Sequence, residues 1–596
     1  MFLITTSYKY SWSSKNENIL FAREWCKLFS NKKYWENLNH EVFPYHWLDR
    51  DKLYKDIQNL DVVFENYLDL MVINLNELHN VEHTKRYWRI IIGPWLNDFI
   101  RLIFDYYTTI QDINNSKLVT NTLIVDSKIE DQIPQDFASF HQAYSRPSYN
   151  HFLFGEIIKN TTSIAFKTTK EKRLDNISDI FSREKKRNLI NKIKRFVKYV
   201  ISFLYSSSLL SDKYKKIVFV SSYFNNKDLN SIQKELNQFP MSFLFDPAAT
   251  IKKASLKLRK QITFEQKFND FEKLLNTLIP MQIPIAYIEN YKSYDKLASL
   301  FFPKKPKAIF TANAYYYNEA FKFWSAKAVE NNVKLLFSQH GGGIGTALWS
   351  QEEKHMIDSS NIFYAWGWGK ESQKIRNMPA TKLTYTQKNI SKSNPQGDIL
   401  CVINSDIINY LHSQFSMPVE KHFLDYVSDV IGIHDLLNCD SRKYLKYRLY
   451  HTSYGRSTWG IEQKFFEAGL ESSIDEGNIS FYDRVSECRL AIIVYGQNTT
   501  VYETLTANFP TMLFWNPDHW ELREDAKPYF DLLKQCGIYH TNIQSLTKQV
   551  SKVHDDVDSW WWSEDTQKAI KIFCNEYAYT KKNYIELWAQ ELNNHI

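Results

Sequence analysis

The chain of 596 residues is poor in glycine and proline, with 16 of each, and so has little material for long disordered or repetitive stretches. Its six cysteines, at positions 26, 401, 439, 488, 536 and 574, are scattered and form no C-x-x-C pair. That excludes a disulfide framework and a structural zinc of the usual spacing, and fits a reducing cytosol. No apolar run reaches the roughly 18 residues of a membrane-spanning helix. The opening Met1–Tyr8 holds too short an apolar run for a signal peptide. A Walker loop, a G-x-S-x-G elbow and an H-E-x-x-H pair are all missing. Asp556-Val557-Asp558 has the letters of a D-x-D metal motif, but it precedes Trp560-Trp561-Trp562 and reads as a helix cap.

Apolar residues make up 44% and aromatic residues 16%, ample for more than one core, and the length predicts two or three domains. The net charge of +7 is local. Lys170–Lys198 carries 11 Lys/Arg against four Asp/Glu, and the remainder is close to neutral. One basic segment on a neutral body argues against a nucleic-acid partner.

Residues 2–7 read as a strand, and helical patterns then dominate to about residue 160. One helix is expected over Asp56–Asn80, another over about His83–Ile92 stopping at Gly93-Pro94, and a third beyond that break. Residues 170–215 read as a basic linker or arm. Within it, Asn191–Leu210 is basic at its start and apolar at its end, which suits either a helix packed on the body or attachment to an anionic membrane surface. From Lys216 strands and helices alternate. Strands are expected at Lys216–Ser221, Ser242–Phe245, Ile283–Ile288, Ala308–Thr311 and Lys334–Ser338, which predicts a parallel sheet covered on both faces. A polar break at 378–397 precedes a fresh strand, Ile399–Asn404. The expected division is residues 1–395 with a helical part at about 40–160, a second α/β domain over 396–550, and terminal helices over 551–596.

Four constellations can carry chemistry. Leu490–Val494 runs as a buried-type strand into Gly496–Thr500, then a helix, then a strand at Thr511–Trp515, one βαβ step. Asn498, Thr499 and Thr500 offer hydroxyls and N–H groups at a helix start, where phosphate binds readily. Glu503, one turn on, can accept from ribose hydroxyls, or can complete a capping box with Thr500. In the second, Lys334–Ser338 ends in Gln339-His340-Gly341-Gly342-Gly343, and His340 can serve as acid or base. Glu289, at the end of Pro284–Ile288, is a second candidate base, with a cap or salt bridge as its structural alternative. Tyr45-His46-Trp47 together with His79, His83, Arg86 and Arg89 suggests a sugar- or anion-binding face. Trp515, in Phe514–Arg523, suits stacking on a base or sugar. Asn313, following Ala308–Thr311, joins His46, Arg86, Arg89 and Trp515 as an expected substrate contact. No metal ligand set is expected.

At these residues the chain resembles the transferase family of bacterial O-antigen and surface-carbohydrate biosynthesis. The matching pieces include Tyr45-His46-Trp47, Arg86-Tyr87-Trp88-Arg89, Gln339-His340-Gly341-Gly342, Trp366-Gly367-Trp368, Asn498-Thr499-Thr500 and Ala526-Lys527-Pro528-Tyr529-Phe530. The C-terminal half is more loosely similar to capsule and spore-coat polysaccharide glycosyltransferases and to nucleotide-sugar 2-epimerases. The resemblance implies an α/β, GT-B-like fold: two Rossmann-like domains facing a cleft, with a helical elaboration of the N-terminal one. It implies a metal-independent glycosyltransferase without a cofactor. The donor would be a nucleotide-sugar, held by Gln339, Gly341, Gly342, Asn498, Thr499, Thr500 and Glu503, with Glu289 or His340 as base. Arg86 and Arg89 would suit an acidic sugar, which favours a CMP-activated ulosonic acid such as Kdo or a sialic-acid-like sugar, with UDP-sugars open. The acceptor would be a lipid-linked glycan at the cytoplasmic side of the inner membrane. Alternatives are a 2-epimerase, a polyol-phosphate transferase or a non-catalytic glycan-binding protein.

Overall fold

A computed structural model describes residues 1–596 except 13–16, 174–188, 208–210, 212–213, 244–246, 248, 251, 266–267, 451–455 and 497. Its strands form three sheets, parallel throughout. The first comprises β1 (Phe2–Ile4), β2 (Ile19–Phe21), β3 (His40–Val42), β4 (Asn121–Asp126) and β5 (Ala165–Arg173), ordered β3-β2-β1-β4-β5. The second comprises β6 (Ile217–Val220), β7 (Ser242–Phe243), β8 (Ala308–Thr311), β9 (Lys334–Ser338), β10 (Ile362–Ala365) and β11 (Ile375–Asn377), ordered β11-β10-β9-β8-β6-β7. The third comprises β12 (Ile399–Ser405), β13 (Leu445–Tyr450), β14 (Leu490–Ile493), β15 (Thr511–Phe514) and β16 (Tyr539–His540), ordered β13-β12-β14-β15-β16.

The central strands β6, β8, β10, β14 and β15 are buried at every position. Such continuous apolar runs are what a sheet covered on both faces requires. The second sheet ends with β11 at Asn377 and the third begins with β12 at Ile399, both in α/β arrangement. The βαβ step at β14, the helix Thr499–Thr506 and β15 is as the sequence predicts.

The N-terminal part departs from expectation, because it carries a whole sheet rather than one strand. Three-residue strands such as β2 and β3 are too short to show a period, and the polar β5 reads as surface. The helix Lys85–Ser116 also runs straight through Gly93-Pro94 instead of stopping there. Pro94 loses its bond to the Ile90 carbonyl, yet Ile90–Leu96 are all buried, so tertiary packing overrides the local break. Gly93 has its own use, since a Cβ there would lie 3.2 Å from the His355 ring. Ile283–Ile288 is not a strand; it holds the 3-10 turn Ile285–Tyr287.

The last helix, Tyr584–Asn593, returns to the second sheet. Trp588 packs on Phe224, Phe310 and Tyr364. The first and third sheets are joined by polar contacts: Arg23 to Glu420 at 3.1 Å, Tyr45 to His412 at 2.8 Å, and Arg50 to both oxygens of Glu521.

Candidate functional site

Parallel sheets present ligand sites at the carboxyl ends of their strands. In the second sheet three such ends converge. Beyond β6 the chain turns through Ser221 and Tyr223, both at positive φ (47° and 61°), a conformation costly for residues with a Cβ. Asn313 follows β8 and donates to the Tyr223 hydroxyl at 3.0 Å. His340 follows β9, with its ring centre 5.2 Å from that of Tyr223.

His340 Nε2 lies 3.4 Å from Glu352 Oε1, and the Tyr315 hydroxyl donates to the same oxygen at 2.8 Å. His340 Nδ1 is buried with no hydrogen-bond partner. A recess beside this cluster is lined by Arg89, Asp98, Tyr316, Glu352, His355 and Gln414. Burial pushes the Asp98 carboxyl up to about 8, against the pull of Arg101, and Glu352 adds to the rise. Asp98 therefore stays protonated at neutral pH.

The glycine loop after His340 meets the third sheet directly. A Cβ on Gly342 would fall 2.4 Å from the Asn498 carbonyl carbon and 2.6 Å from the Tyr502 ring. Only glycine permits that approach. The Gly342 N–H donates to Thr499 Oγ1 at 3.1 Å, and Thr346 Oγ1 lies 3.2 Å from the Tyr502 hydroxyl. Gly345 is fixed by two constraints, a φ of 87° and the Trp368 indole 2.3 Å from where its Cβ would be.

Across the junction, Asn498 caps the helix Thr499–Thr506. Its Oδ1 accepts from the Thr500 N–H at 2.7 Å, and its Nδ2 donates to the Tyr495 carbonyl. The cap is thus Asn498 and not the Thr500–Glu503 box. The helix N-terminus and its threonines lie beside the loop that His340 heads.

The remaining expected residues divide. Gln339 is 3% exposed and braces the loop. Its Oε1 accepts from the Trp366 N–H and Trp368 Nε1, while Nε2 donates to the Gly341 and Ile344 carbonyls. With its amide fully engaged, it leaves no group for a donor molecule. Glu503 is buried and takes a hydrogen bond from Tyr482 at 3.1 Å, with Lys382 at 3.6 Å, so its carboxylate already faces protein donors. Arg89 lines the recess, held by Glu65 at 2.6 Å. Arg86 instead binds the Ser359 carbonyl and Asn361 Oδ1, just before β10 begins, at the opposite edge of the sheet.

Three others are occupied by contacts of their own. Glu289 is gripped by both arms of Arg259, each at 2.8 Å, and by the Ser255 N–H, which leaves no free carboxylate for proton abstraction. Trp515 is fully buried against Phe530 and Tyr539 and belongs to the core of the third sheet. His46 is buried on Asp105 at 3.0 Å, and burial lowers its pKa. Burial works against ionisation of Asp105, but Arg23 and His46 hold it down to about 2. Glu420, on the other side of Arg23, is pushed up to about 7 by burial.

His79 and His83 do not share a helix. One helix ends at His79, Asn80 is left-handed, and the next begins at Lys85. His79 bonds the Tyr287 carbonyl and His83 bonds Glu330. Among the described residues no group of three or more His, Cys, Asp or Glu is placed to hold a metal ion.

Tyr223, Tyr315 and Glu352 were not legible as site residues. The signal for Tyr223 was its position just past a strand, the rule that found His340. Glu352 has none, because only tertiary folding brings its helix to His340.

Loops from the carboxyl edges of two parallel sheets thus meet in an α/β protein. The chain belongs to the family described as the LIC12162 family of transferases, whose model matches residues 1–592. No curated protein matches it. Solved structures align loosely. The wall teichoic acid polymerase TagF shares 10% identity over 68% of this chain and 97% of its own, with a TM-score of 0.30. WaaG, a glycosyltransferase involved in lipopolysaccharide biosynthesis, shares 12% over 63% and 98%, with a TM-score of 0.26. An α,α-trehalose-phosphate synthase (UDP-forming) from Burkholderia vietnamiensis shares 9% over 51% and 78%, with a TM-score of 0.28. Likenesses this loose carry no argument about fold or function. No helix among the described residues is long and apolar enough to cross a membrane.

Proposed function

We propose that this transferase is a metal-independent glycosyltransferase of GT-B type, with its donor at the junction of the second and third sheets. The observation that carries the reading is the Gly342–Thr499 contact, which sets a helix N-terminus and a histidine-headed loop side by side. The donor phosphate sits at Asn498–Thr500, where N–H groups and the helix dipole stabilise the leaving charge. An acceptor hydroxyl attacks the anomeric carbon. The bond from that carbon to the phosphate oxygen breaks, and the nucleotide departs with the electron pair.

The hydroxyl proton passes to His340. Glu352, 3.4 Å from Nε2, stabilises the imidazolium that forms. Glu352 is thus a positioning residue, held in turn by Tyr315. The favoured donor is a CMP-activated ulosonic acid, with UDP-sugars as the alternative; for the former, Arg89 at the recess would share its guanidinium between Glu65 and the sugar carboxylate. The acceptor is a surface-polysaccharide glycan on a lipid carrier, met at an anionic membrane surface.

Thermal-shift measurements with CMP, CDP, UDP and GDP test the reading. One of them raises the melting temperature, His340→Ala keeps that shift but loses transfer, and chelator leaves turnover unchanged. No shift with any nucleotide sinks the proposal. Isomerisation of the donor in place of its cleavage would reassign the chain to epimerases.

A further inference from the structure

Over Val197–Ser206 the helix Leu189–Ser206 turns its Tyr and Ser side chains inward. Tyr199 meets Phe301 at 5.1 Å between ring centres, and Ser206 Oγ donates to the Phe301 carbonyl at 2.8 Å. Ser202 and Tyr205, one turn apart, are buried. The opposite face carries Val197, Val200, Ile201 and Leu204, which are 41–47% exposed. Their spacing of three, four and seven residues is that of an apolar helix stripe, which in a globular protein faces the core. Here it faces out.

The stripe does not stand alone. Phe203 is 51% exposed on the same helix. Phe239, at 50%, touches Tyr205 of that helix, and Leu300, at 41%, lies on the helix Tyr291–Phe301 that supports it. Exposed apolar side chains gathered on neighbouring elements in this way mark an interaction site.

We propose that this surface docks on an anionic lipid bilayer, with the stripe inserted at the level of the acyl boundary. Charge selects that occupant. Lys198, Lys296, Lys304 and Lys305 are exposed on or beside the same elements, and residues 170–198 carry a net +7 in sequence. An apolar stripe beside cations is the composition of interfacial helices that recognise acidic headgroups. The same charge opposes apposition of a second copy. The inference rests on the membrane-side acceptor proposed above, and adds the surface that brings the chain there.

The test is co-sedimentation of the full chain with vesicles of phosphatidylcholine alone and of phosphatidylcholine with phosphatidylglycerol in equal parts. The wild-type chain pellets with the acidic vesicles, and part of that binding survives high salt, because apolar insertion is not screened. The triple variant Val200→Asp, Ile201→Asp, Leu204→Asp lowers the partition about tenfold or more while its melting temperature stays unchanged. Val200→Lys, Ile201→Lys, Leu204→Lys keeps low-salt binding but loses the salt-resistant part. Indifference of the wild type to acidic vesicles, or triple-Asp binding equal to wild type, overturns the proposal. So does a dimer in gel filtration that the triple variant dissolves, which would assign the stripe to a second copy. Nucleotide-induced thermal shifts of the triple variant are read in parallel. Lost vesicle binding with the shift intact is the docking result, whereas a missing shift in the wild type strikes only the transferase reading.

Discussion

Replacing Gly342 with Ala drives a methyl group into the backbone of the neighbouring domain. The added Cβ lies 2.4 Å from the Asn498 carbonyl carbon and 2.5 Å from its oxygen, and ordinary contact begins near 3.4 Å. The two loops must therefore part by about 1 Å, a displacement that costs catalysis about a hundredfold when it misplaces reacting groups. The rigid backbone on the far side cannot rotate away as a side chain would, so about 1–3 kcal/mol of overpacking strain is added. Gly341→Ala is the matched control. Its Cβ meets only Thr499 Oγ1, at 3.5 Å, an ordinary contact. Thermal unfolding and the nucleotide-induced shift are measured for both. Gly342→Ala melts earlier and binds nucleotide about tenfold or more weakly, while Gly341→Ala stays near wild type. Equal behaviour of the two variants refutes the close junction and the donor site built on it.

Glu352→Gln keeps an acceptor for His340 but removes the charge, so kcat falls about 10- to 100-fold with KM for the donor little changed. A purely structural Glu352 would instead lower the melting temperature and leave kcat per folded molecule intact. Asp98, with its carboxyl raised to about 8, is protonated in the fold while the unfolded chain ionises near 4. Its contribution is fully present below the unfolded value and is lost as pH rises toward 8, so melting temperature declines over that window. Asp98→Asn flattens the decline; equal slopes in both proteins would show that Asp98 is ionised in the fold. Arg23→Ala strands Asp105 and Glu420 in the interior and costs about 3–5 kcal/mol by denaturant titration. A loss below about 1 kcal/mol would mean that water reaches the pair.

Legibility in the sequence followed the physics of each element. β14, its loop and β15 were readable because a four-residue apolar run, polar loop residues and a second apolar run leave little other solution. His340 was readable as the first polar histidine after such a run. β2 and β3 were not, since three residues carry no period. Ile283–Ile288 misled because an apolar run of that length suits a buried turn as well as a strand, and Glu289 was then misplaced with it. Pro94 misled because the break signal is local, whereas the helix Lys85–Ser116 is held by burial on nearly all sides. Trp515 and His46 show the same limit: residue type announced a capacity for stacking or hydrogen bonding, but only the fold decided what each would meet.

In the proposed function a nucleotide's phosphate lies at the start of the helix Thr499–Thr506, opposite the loop that His340 heads. A crystal structure soaked with the nucleotide that stabilises the chain most tests it directly. Phosphate oxygens are expected within hydrogen-bond distance of the Thr499 N–H or of the Thr499 or Thr500 hydroxyl, with His340 on the side of the sugar. Nucleotide bound elsewhere, with Asn498–Thr500 untouched, would contradict it.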